Sequence, residues 1–358
     1  MAKLKKLQLI QFRNVERATL NFSDGLNLIV GDNAAGKTSL IEAIWMLSSG
    51  RSFRTAKSSH LIHSQYSEFT LFCEVEQENH AYKIGLTRSK DASLCKINGE
   101  VEKSQAKMAV HLPVQLLTPE SHRLLEEGPK IRRQFMDWGC FYYAPEFIKL
   151  WRTYQRALKQ RNHALKQKLP KEQAQLWDMQ LVEVAEKVDA IRSDYIQKIS
   201  PFVVQFCEAL MPEITDELSI SYRSGWSKSA ENFQTILFNN YFKDAKLGHT
   251  QYGCHRADIR FKFAGSDAML TLSRGQQKLF VCALLLAQAS LFEMTTGEQV
   301  IMLIDDLPAE LDENHRLTLL KLLDLLRIQH IITTTSASLI PCIQSNTPII
   351  EIEQGKIV

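Results

Sequence analysis

The chain has 358 residues, which at roughly 150 residues per domain predicts two or three folding units. Apolar residues make up 45% and charged residues 23%, with 15 glycines and 10 prolines, so disordered, collagen-like and low-complexity classes are excluded. A net charge of +3 neither requires nor excludes a nucleic-acid partner, so the placement of charge has to decide.

In chain order, strand-like segments come first: 4–12, 18–22 and the short apolar run Leu26-Asn27-Leu28-Ile29-Val30, which ends in a glycine as a buried strand would. Residues 38–49 carry helical apolar spacing (Ile41, Ile44, Trp45, Leu47) with Gly50 as the stop. Residues 69–99 read as antiparallel strands with turns at Glu78-Asn79 and Asn98-Gly99. From about 120 to 215 helices take over. Trp151, Tyr154, Leu158 and Leu165 mark one stripe, Leu169-Pro170 breaks it, and Trp177, Leu181, Val184, Val188, Ile191 and Tyr195 mark a second, which predicts a helical hairpin. Strands resume at 217–223 and 258–264. A strongly apolar helix is expected at 275–292, a buried strand at 300–304, a helix at 315–327 and a strand at 330–334. That alternation predicts an α/β fold with a mostly parallel sheet.

No apolar run approaches the ~18 to 20 residues that span a bilayer. The basic start MAKLKKLQLIQFRN is interrupted by Gln8, Gln11 and Arg13, so no export signal and no membrane partner are predicted. The cysteines (Cys73, Cys95, Cys140, Cys207, Cys254, Cys282, Cys342) are odd in number, scattered and never in a C-x-x-C pair. They argue against a disulfide framework or a zinc site and predict a cytoplasmic setting.

Directly after Leu26–Val30 comes Gly31-Asp32-Asn33-Ala34-Ala35-Gly36-Lys37-Thr38, which is G-x-x-x-x-G-K-[ST] between a strand and a helix. The glycines let successive backbone N–H groups curl toward phosphate oxygens, Lys37 reaches the β- and γ-phosphates, and Thr38 offers a hydroxyl to Mg²⁺. Such a loop needs a distant carboxylate. The run Val300–Ile304 ends in Asp305-Asp306, with Asp305 placed as the Mg²⁺ ligand and Asp306 placed to orient or deprotonate the attacking water. Gly31 and Asp305 lie 274 positions apart, so the ATPase has to be assembled from both chain ends. Upstream, Leu272-Ser273-Arg274-Gly275-Gln276-Gln277-Lys278 opens the apolar helix and reads as a second anion site, or as a plain N-cap. Two molecules facing head to tail would let each offer Ser273 and Gly275 to its partner's nucleotide.

From Phe147 to Lys171 there are eight Lys/Arg and no Asp or Glu. Lys149, Arg152, Arg156, Lys159, His163 and Lys166 recur on one helix face, either a stripe that tracks a phosphate backbone or a solvated face. Arg51 and Arg54 read as contacts to DNA or nucleotide phosphate, or as a surface loop. No interleave of aromatic and basic residues of the single-strand-binding type stands out.

Together these motifs resemble the RecF family of ABC-type, SMC-like ATPases. Phe12-Arg13-Asn14, GDNAAGKTSLIEAI and Gly50-Arg51-Ser52-Phe53-Arg54 are similar to its N-terminal block, and Gly128-Pro129 with Arg132-Arg133-Gln134-Phe135-Met136-Asp137 to its central block. Gly253-Cys254-His255-Arg256-Ala257-Asp258, LSRGQQK and IDDLPAELD are similar to its C-terminal blocks. The resemblance implies an ABC-type P-loop head built from both chain ends (1–118 and 215–358) with an inserted helical arm (119–214). By motif, Gly31, Asp32, Asn33, Ala34, Ala35, Gly36, Lys37, Thr38 and Ser39 would bind ATP. Ser273, Gly275 and Gln276 would form the signature contact in trans, Thr38 and Asp305 would hold Mg²⁺, Lys37 and Asp306 would be catalytic, and Asp312 would lie in the dimer-contacting loop. It further implies an ATP-dependent homodimer on gapped or single-strand–double-strand junction DNA, nucleoid-associated, helping to load RecA with RecO and RecR.

Three departures are visible. Asp306 stands where most ABC ATPases have the longer Glu, which predicts a weak ATPase. Thr333-Thr334 stand where many have a histidine that contacts the γ-phosphate, and Cys254 replaces a proline. Gln115 is the candidate Q-loop residue. The alternative readings are an ABC-type ATPase subunit of a transporter and a phage-defence ATPase.

Overall fold

The computed structural model describes residues 2–77, 80–227, 232–341, 343 and 347–358, so the expected turn at Glu78-Asn79 and Cys342 lie outside the described residues. The chain forms two compact units, one of residues 1–121 with 274–358 and one of residues 122–273.

The first unit holds two six-stranded sheets. One is antiparallel and alternates as a half-buried sheet must: in Glu68–Gln77, Phe69, Leu71, Cys73 and Val75 point into the core while their neighbours stay wet. The other has Lys356–Ile357, Ile349–Glu353, Leu26–Val30, Gln329–Thr334, Ile301–Ile304 and Val114–Leu117 side by side. Its five strands from Ile349–Glu353 to Val114–Leu117 pair in parallel, and the inner strands Leu26–Val30 and Ile301–Ile304 read as apolar runs because both faces are covered. The register sets Thr333 against Ile29 and Ile304 against Ile332, so these strands end together at one edge. The loops leaving the strand ends are therefore gathered there, the place where open α/β sheets bind ligands.

Helix Lys37–Ser49 packs Leu40, Ile41, Ala43, Ile44, Met46 and Leu47 into this core and stops at Gly50, whose φ of 69° closes a left-handed cap. Helix Arg274–Thr296 is long and apolar enough to cross a bilayer, which corrects the expectation that no segment is. Its interspersed Gln, Ser and Thr hide it from a search for an unbroken apolar run. Most of it, including Gln277, Gln288 and the stretch Leu279–Ala289, is buried, as in a core helix of a globular domain.

The second unit is built on helices Pro129–Tyr143, Phe147–Lys166 and Asp178–Leu210, with a three-stranded antiparallel sheet of Leu218–Arg223, Asp258–Phe263 and Ser266–Asp267. Residues 215–273 thus group with the helices, whereas the motif pattern assigns them to the head. The reason is polar and local. Arg132 holds Asp258 with two bonds of 2.8 and 3.0 Å, Arg133 donates to the Ala257 carbonyl at 2.8 Å, and the Tyr222 hydroxyl donates to Asp189 at 2.6 Å. The central block and the block Gly253–Asp258 therefore lock onto each other inside this unit. Cys254, at the proline position, is buried with its thiol donating to the Ala185 carbonyl at 3.2 Å.

The hairpin stripes close as expected through Tyr154, Leu165, Leu181, Val188 and Tyr195, all buried, whereas Trp177 is 37% exposed at the start of its helix. Two arginines sit in the interior. Arg192 pairs with Asp137 and donates to the Cys254 carbonyl at 2.7 Å. Arg161 donates to Asp178, Asp244 and Thr250, each at 2.7 Å. Burial pushes the Asp178 carboxyl above the ordinary aspartate value, against the opposing pull of Arg161.

Candidate nucleotide site

The gathered strand ends form a pocket of about 810 Å³ lined by Asn33, Ala34, Gly36, Lys37, Thr38 and Ser39 from the loop and by Asp305, Asp306 and Thr333 from the neighbouring strands. The loop curls because its backbone leaves the ordinary regions: Ala34 has φ 66° and Gly36 φ 121°. A Cβ on Gly31 would sit 2.3 Å from the Ile352 carbonyl oxygen, so only glycine fits there. Lys37 donates to the carbonyls of Gly31 at 2.6 Å and Asp32 at 2.9 Å, which holds its ammonium over the mouth of the loop.

Across the pocket the Thr38 hydroxyl donates to both carboxylate oxygens of Asp305, at 3.1 and 3.0 Å. The pair 267 positions apart in sequence is in contact, as the phosphate-loop reading requires. Burial pushes the Asp305 carboxyl above its ordinary value, and the Thr333 and Thr38 hydroxyls oppose that shift. A part-buried, oxygen-only pair of a hydroxyl and a carboxylate beside a phosphate cradle is the donor chemistry Mg²⁺ takes. Asp306 comes next in the left-handed region, φ 54° and ψ 56°, a conformation that turns the chain sharply out of the strand.

Thr333 explains how that turn is held. Its hydroxyl donates to Asp305 Oδ1 at 2.7 Å and accepts the Asp306 N–H at 2.8 Å. The residue that reads in sequence as the loss of a histidine contact instead clamps both aspartates in place. Thr333→Val keeps the shape but removes the clamp, so steady-state ATP turnover is expected to fall about tenfold with ATP affinity unchanged. A wild-type kcat in that variant would show that the hydroxyl plays no part.

Sequence reading also misses the shell behind the loop. Asn14 accepts from Ser39 Oγ at 3.0 Å and donates to the Ala35 carbonyl at 3.3 Å. Fully buried Glu42 is gripped by Arg13 through bonds of 2.8 and 2.6 Å, by Ser52, and by Arg54 at 3.6 Å. Arg13, Asn14 and Arg54 line the pocket. The signal available is the proximity of the Phe12-Arg13-Asn14 and Gly50–Arg54 motifs to the loop, but nothing in sequence says that they meet through Glu42.

Gly275 and Gln276 lie on the first turn of Arg274–Thr296 and do not line this pocket, while Ser273 is the last residue of the second unit. Asp312 caps helix Glu313–Leu325, accepting from the His315 N–H at 3.1 Å. Gln115 is buried on the strand Val114–Leu117 with its amide donating to Gln288 at 3.3 Å, and it too is absent from the pocket lining.

The model of the RecF/RecN/SMC N terminal domain matches residues 3–357. The DNA replication and repair protein RecF of Hydrogenovibrio crunogenus (strain DSM 25203 / XCL-2) is 61% identical over 359 aligned residues, covering 100% of this chain and 99% of its own. Two solved structures of the recombination mediator protein RecF in the RecFOR pathway are also similar. The one named RecF-ATPrS has a TM-score of 0.88 at 28% identity and covers 99% of this chain and 97% of its own. The one named RecF-ATP has a TM-score of 0.86 at 29% identity and covers 100% and 97%. With a phosphate loop and an acidic strand end brought together on a parallel sheet, and with that likeness running the length of the chain, this protein belongs to the RecF family of ABC-type, SMC-like ATPases.

Proposed function

We propose that the chain is an ATP-dependent DNA-binding protein of recombinational repair and replication-fork maintenance. The observation that carries the reading is the convergence of Lys37, Thr38, Asp305 and Asp306 on one pocket. The relatives' names, with RecF-ATP in a RecFOR pathway among them, support the nucleotide and the pathway.

In this account the backbone N–H groups of Gly31 to Thr38, with Ser39, cradle the phosphates, and Lys37 exchanges its carbonyl partners for the β- and γ-phosphate oxygens. Thr38 and Asp305 would hold Mg²⁺, which when bound neutralises phosphate charge. Asp306 orients or deprotonates the attacking water. Its side chain is one methylene shorter than the usual glutamate, so turnover is slow and hydrolysis serves as a reset. Ser273, Gly275 and Gln276 meet the nucleotide of a second copy, so ATP joins two chains head to tail across gapped or single-strand–double-strand junction DNA. Release after hydrolysis, and RecA loading with RecR and RecO, complete the cycle in the cytoplasm at the nucleoid. The chain thus divides its labour between a head made from both ends and a helical arm.

The arm supplies the DNA contact. Lys149, Arg152, Arg156, Lys159, His163 and Lys166 are all exposed along helix Phe147–Lys166, a stripe of about 25 Å at 1.5 Å per residue. Exchanging Arg152, Arg156 and Lys159 for Glu is expected to weaken duplex binding at least about tenfold and to reduce the slope of log K against log salt by about 2 to 3. The check is fluorescence anisotropy at several salt concentrations. An unchanged affinity and slope would remove the stripe from the account.

A further inference from the structure

The arm carries a second surface that the basic stripe runs into. Helices Phe233–Asn239 and Tyr241–Leu247 come from a segment beyond the hairpin's last helix, with Tyr241 72 positions after Leu169 at the tip, and the fold seats them against that tip. The Tyr241 hydroxyl donates to the Leu169 carbonyl at 2.7 Å, and Arg161 binds Asp178 and Asp244 together, tying the start of the long helix to the same place. Around that junction large apolar side chains stand in solvent: Phe242 at 74% exposure, Leu176 at 75%, Met179 at 76%, Phe238 at 52%. The Lys171 ammonium lies 3.2 Å from the centroid of the Phe238 ring and about 6 Å from those of Tyr241 and Phe242.

Exposed apolar clusters of this kind mark a binding surface, and the surrounding charge says for what. Lys166, Lys168, Lys243 and Lys246 are exposed on the segments that meet here, and no ion pair involves them among the described residues. Glu172 is the exposed carboxylate on the short helix Lys171–Gln175, and Asp178 and Asp244 are buried and taken up by Arg161. A cationic rim around accessible aromatic faces, at the end of a basic stripe, has the chemistry of a single-stranded nucleic-acid platform, where bases stack on rings and lysines take the phosphates. A protein partner with an apolar face would gain little from so many unpaired lysines.

The geometry points to the arm tip as a site for unpaired bases, with Phe242 as the stacking surface and Lys171, Lys166, Lys243 and Lys246 as phosphate contacts. This inference rests on the DNA-binding reading and deepens it. The duplex part of a junction lies along Lys149–Lys166, and the single strand leaves it over Phe242, so the arm itself distinguishes a gap from continuous duplex.

The test is anisotropy of the full chain with a labelled oligothymidylate, a gapped duplex and a blunt duplex, for the wild type, Phe242→Ala and Phe242→Trp. Because Phe242 is mostly exposed, neither change disturbs the core or the nucleotide pocket, and ATP turnover without DNA stays at the wild-type rate. Phe242→Ala is expected to raise Kd for the single strand and the gap by roughly 5- to 100-fold, with Phe242→Trp at or below the wild-type Kd and the blunt duplex unchanged. If Phe242→Ala binds the single strand and the gap as the wild type does, the inference is overturned while the DNA-binding reading stands. If Phe242→Ala changes only the sedimentation of the protein, the patch is a protein interface and the inference is equally overturned. If the wild type binds none of the three probes, the DNA-binding reading itself fails and takes the inference with it.

Discussion

Replacing Lys37 with alanine is expected to lower ATP hydrolysis by at least about 10²-fold, to abolish ATP-driven dimerisation, and to leave the melting temperature of the ligand-free protein unchanged. The ammonium is held at the mouth of the loop by carbonyls of the loop itself, Gly31 and Asp32, so it is placed before nucleotide arrives and has only to exchange these partners for phosphate oxygens. Charged donors of this kind, aimed at developing phosphate charge in a shielded pocket, are each worth about 3 to 4 kcal/mol in the transition state. Lys37 is buried, but its ammonium bonds only to carbonyls of the loop itself, so the loss falls on the loop and not on the hydrophobic core. Lys37→Arg is expected to fail as well, since a planar guanidinium does not fit the point-charge position between two carbonyls. Sedimentation with and without ATP–Mg²⁺ reads the result. ATP-dependent dimers in Lys37→Ala would end the gating account.

Arg161→Ala is expected to be the most destabilising single change in the arm, by about 3 to 5 kcal/mol, because it leaves two buried carboxylates without their shared cation. At about 2 to 4 °C per kcal/mol for a unit of this size, the arm's thermal transition should fall by roughly 10 °C. The pH dependence has a definite sign. Burial already raises Asp178 above its unfolded value, and losing Arg161 raises it further. A raised carboxyl is no burden while protonated and costs stability as pH climbs through its folded value, so the variant's deficit is larger at pH 7 than near pH 4. Urea unfolding at the two pH values checks this. A deficit that is small and independent of pH would mean that water, not Arg161, satisfies these carboxylates. The same network seats Asp178 and Asp244 at the arm tip, so the variant is also expected to weaken single-strand binding.

The parts of this protein legible in sequence are those whose chemistry is local. A phosphate loop is eight consecutive residues, and the acidic strand end Asp305-Asp306 announces itself by the apolar run before it. Their meeting across 267 positions is expected because a loop with Lys37 and Thr38 needs a carboxylate and the chain offers one in the right setting. The parallel strands 26–30, 301–304 and 329–334 are readable for the same reason, whereas Val114–Leu117 is broken by Gln115 and Ile349–Glu353 by Glu351, so neither reads as a buried run.

The features hidden from sequence are side-chain pairs joined only by the fold. Arg161 counts toward a basic run in sequence, yet among the cations of Phe147–Lys166 it is the member turned inward, because Asp178 and Asp244 wait for it on other helices. Thr333 looks like a missing histidine until its bonds to Asp305 and Asp306 are seen. Gln115 has the residue type of a nucleotide sensor but is packed against Gln288. The aromatic platform is invisible in sequence because its rings, at 238 and 242, and its lysines, at 166 and 171, belong to different stretches of chain. A sequence search for interleaved aromatic and basic residues passes over both.

The most direct test of the central claim is fluorescence anisotropy of a labelled gapped duplex titrated with protein, with and without ATP–Mg²⁺, for the wild type and Lys37→Ala. Binding is expected to tighten with ATP–Mg²⁺ in the wild type and not to respond to it in Lys37→Ala. Equal affinity with and without nucleotide in the wild type, or no binding in either state, would contradict an ATP-gated DNA-binding protein.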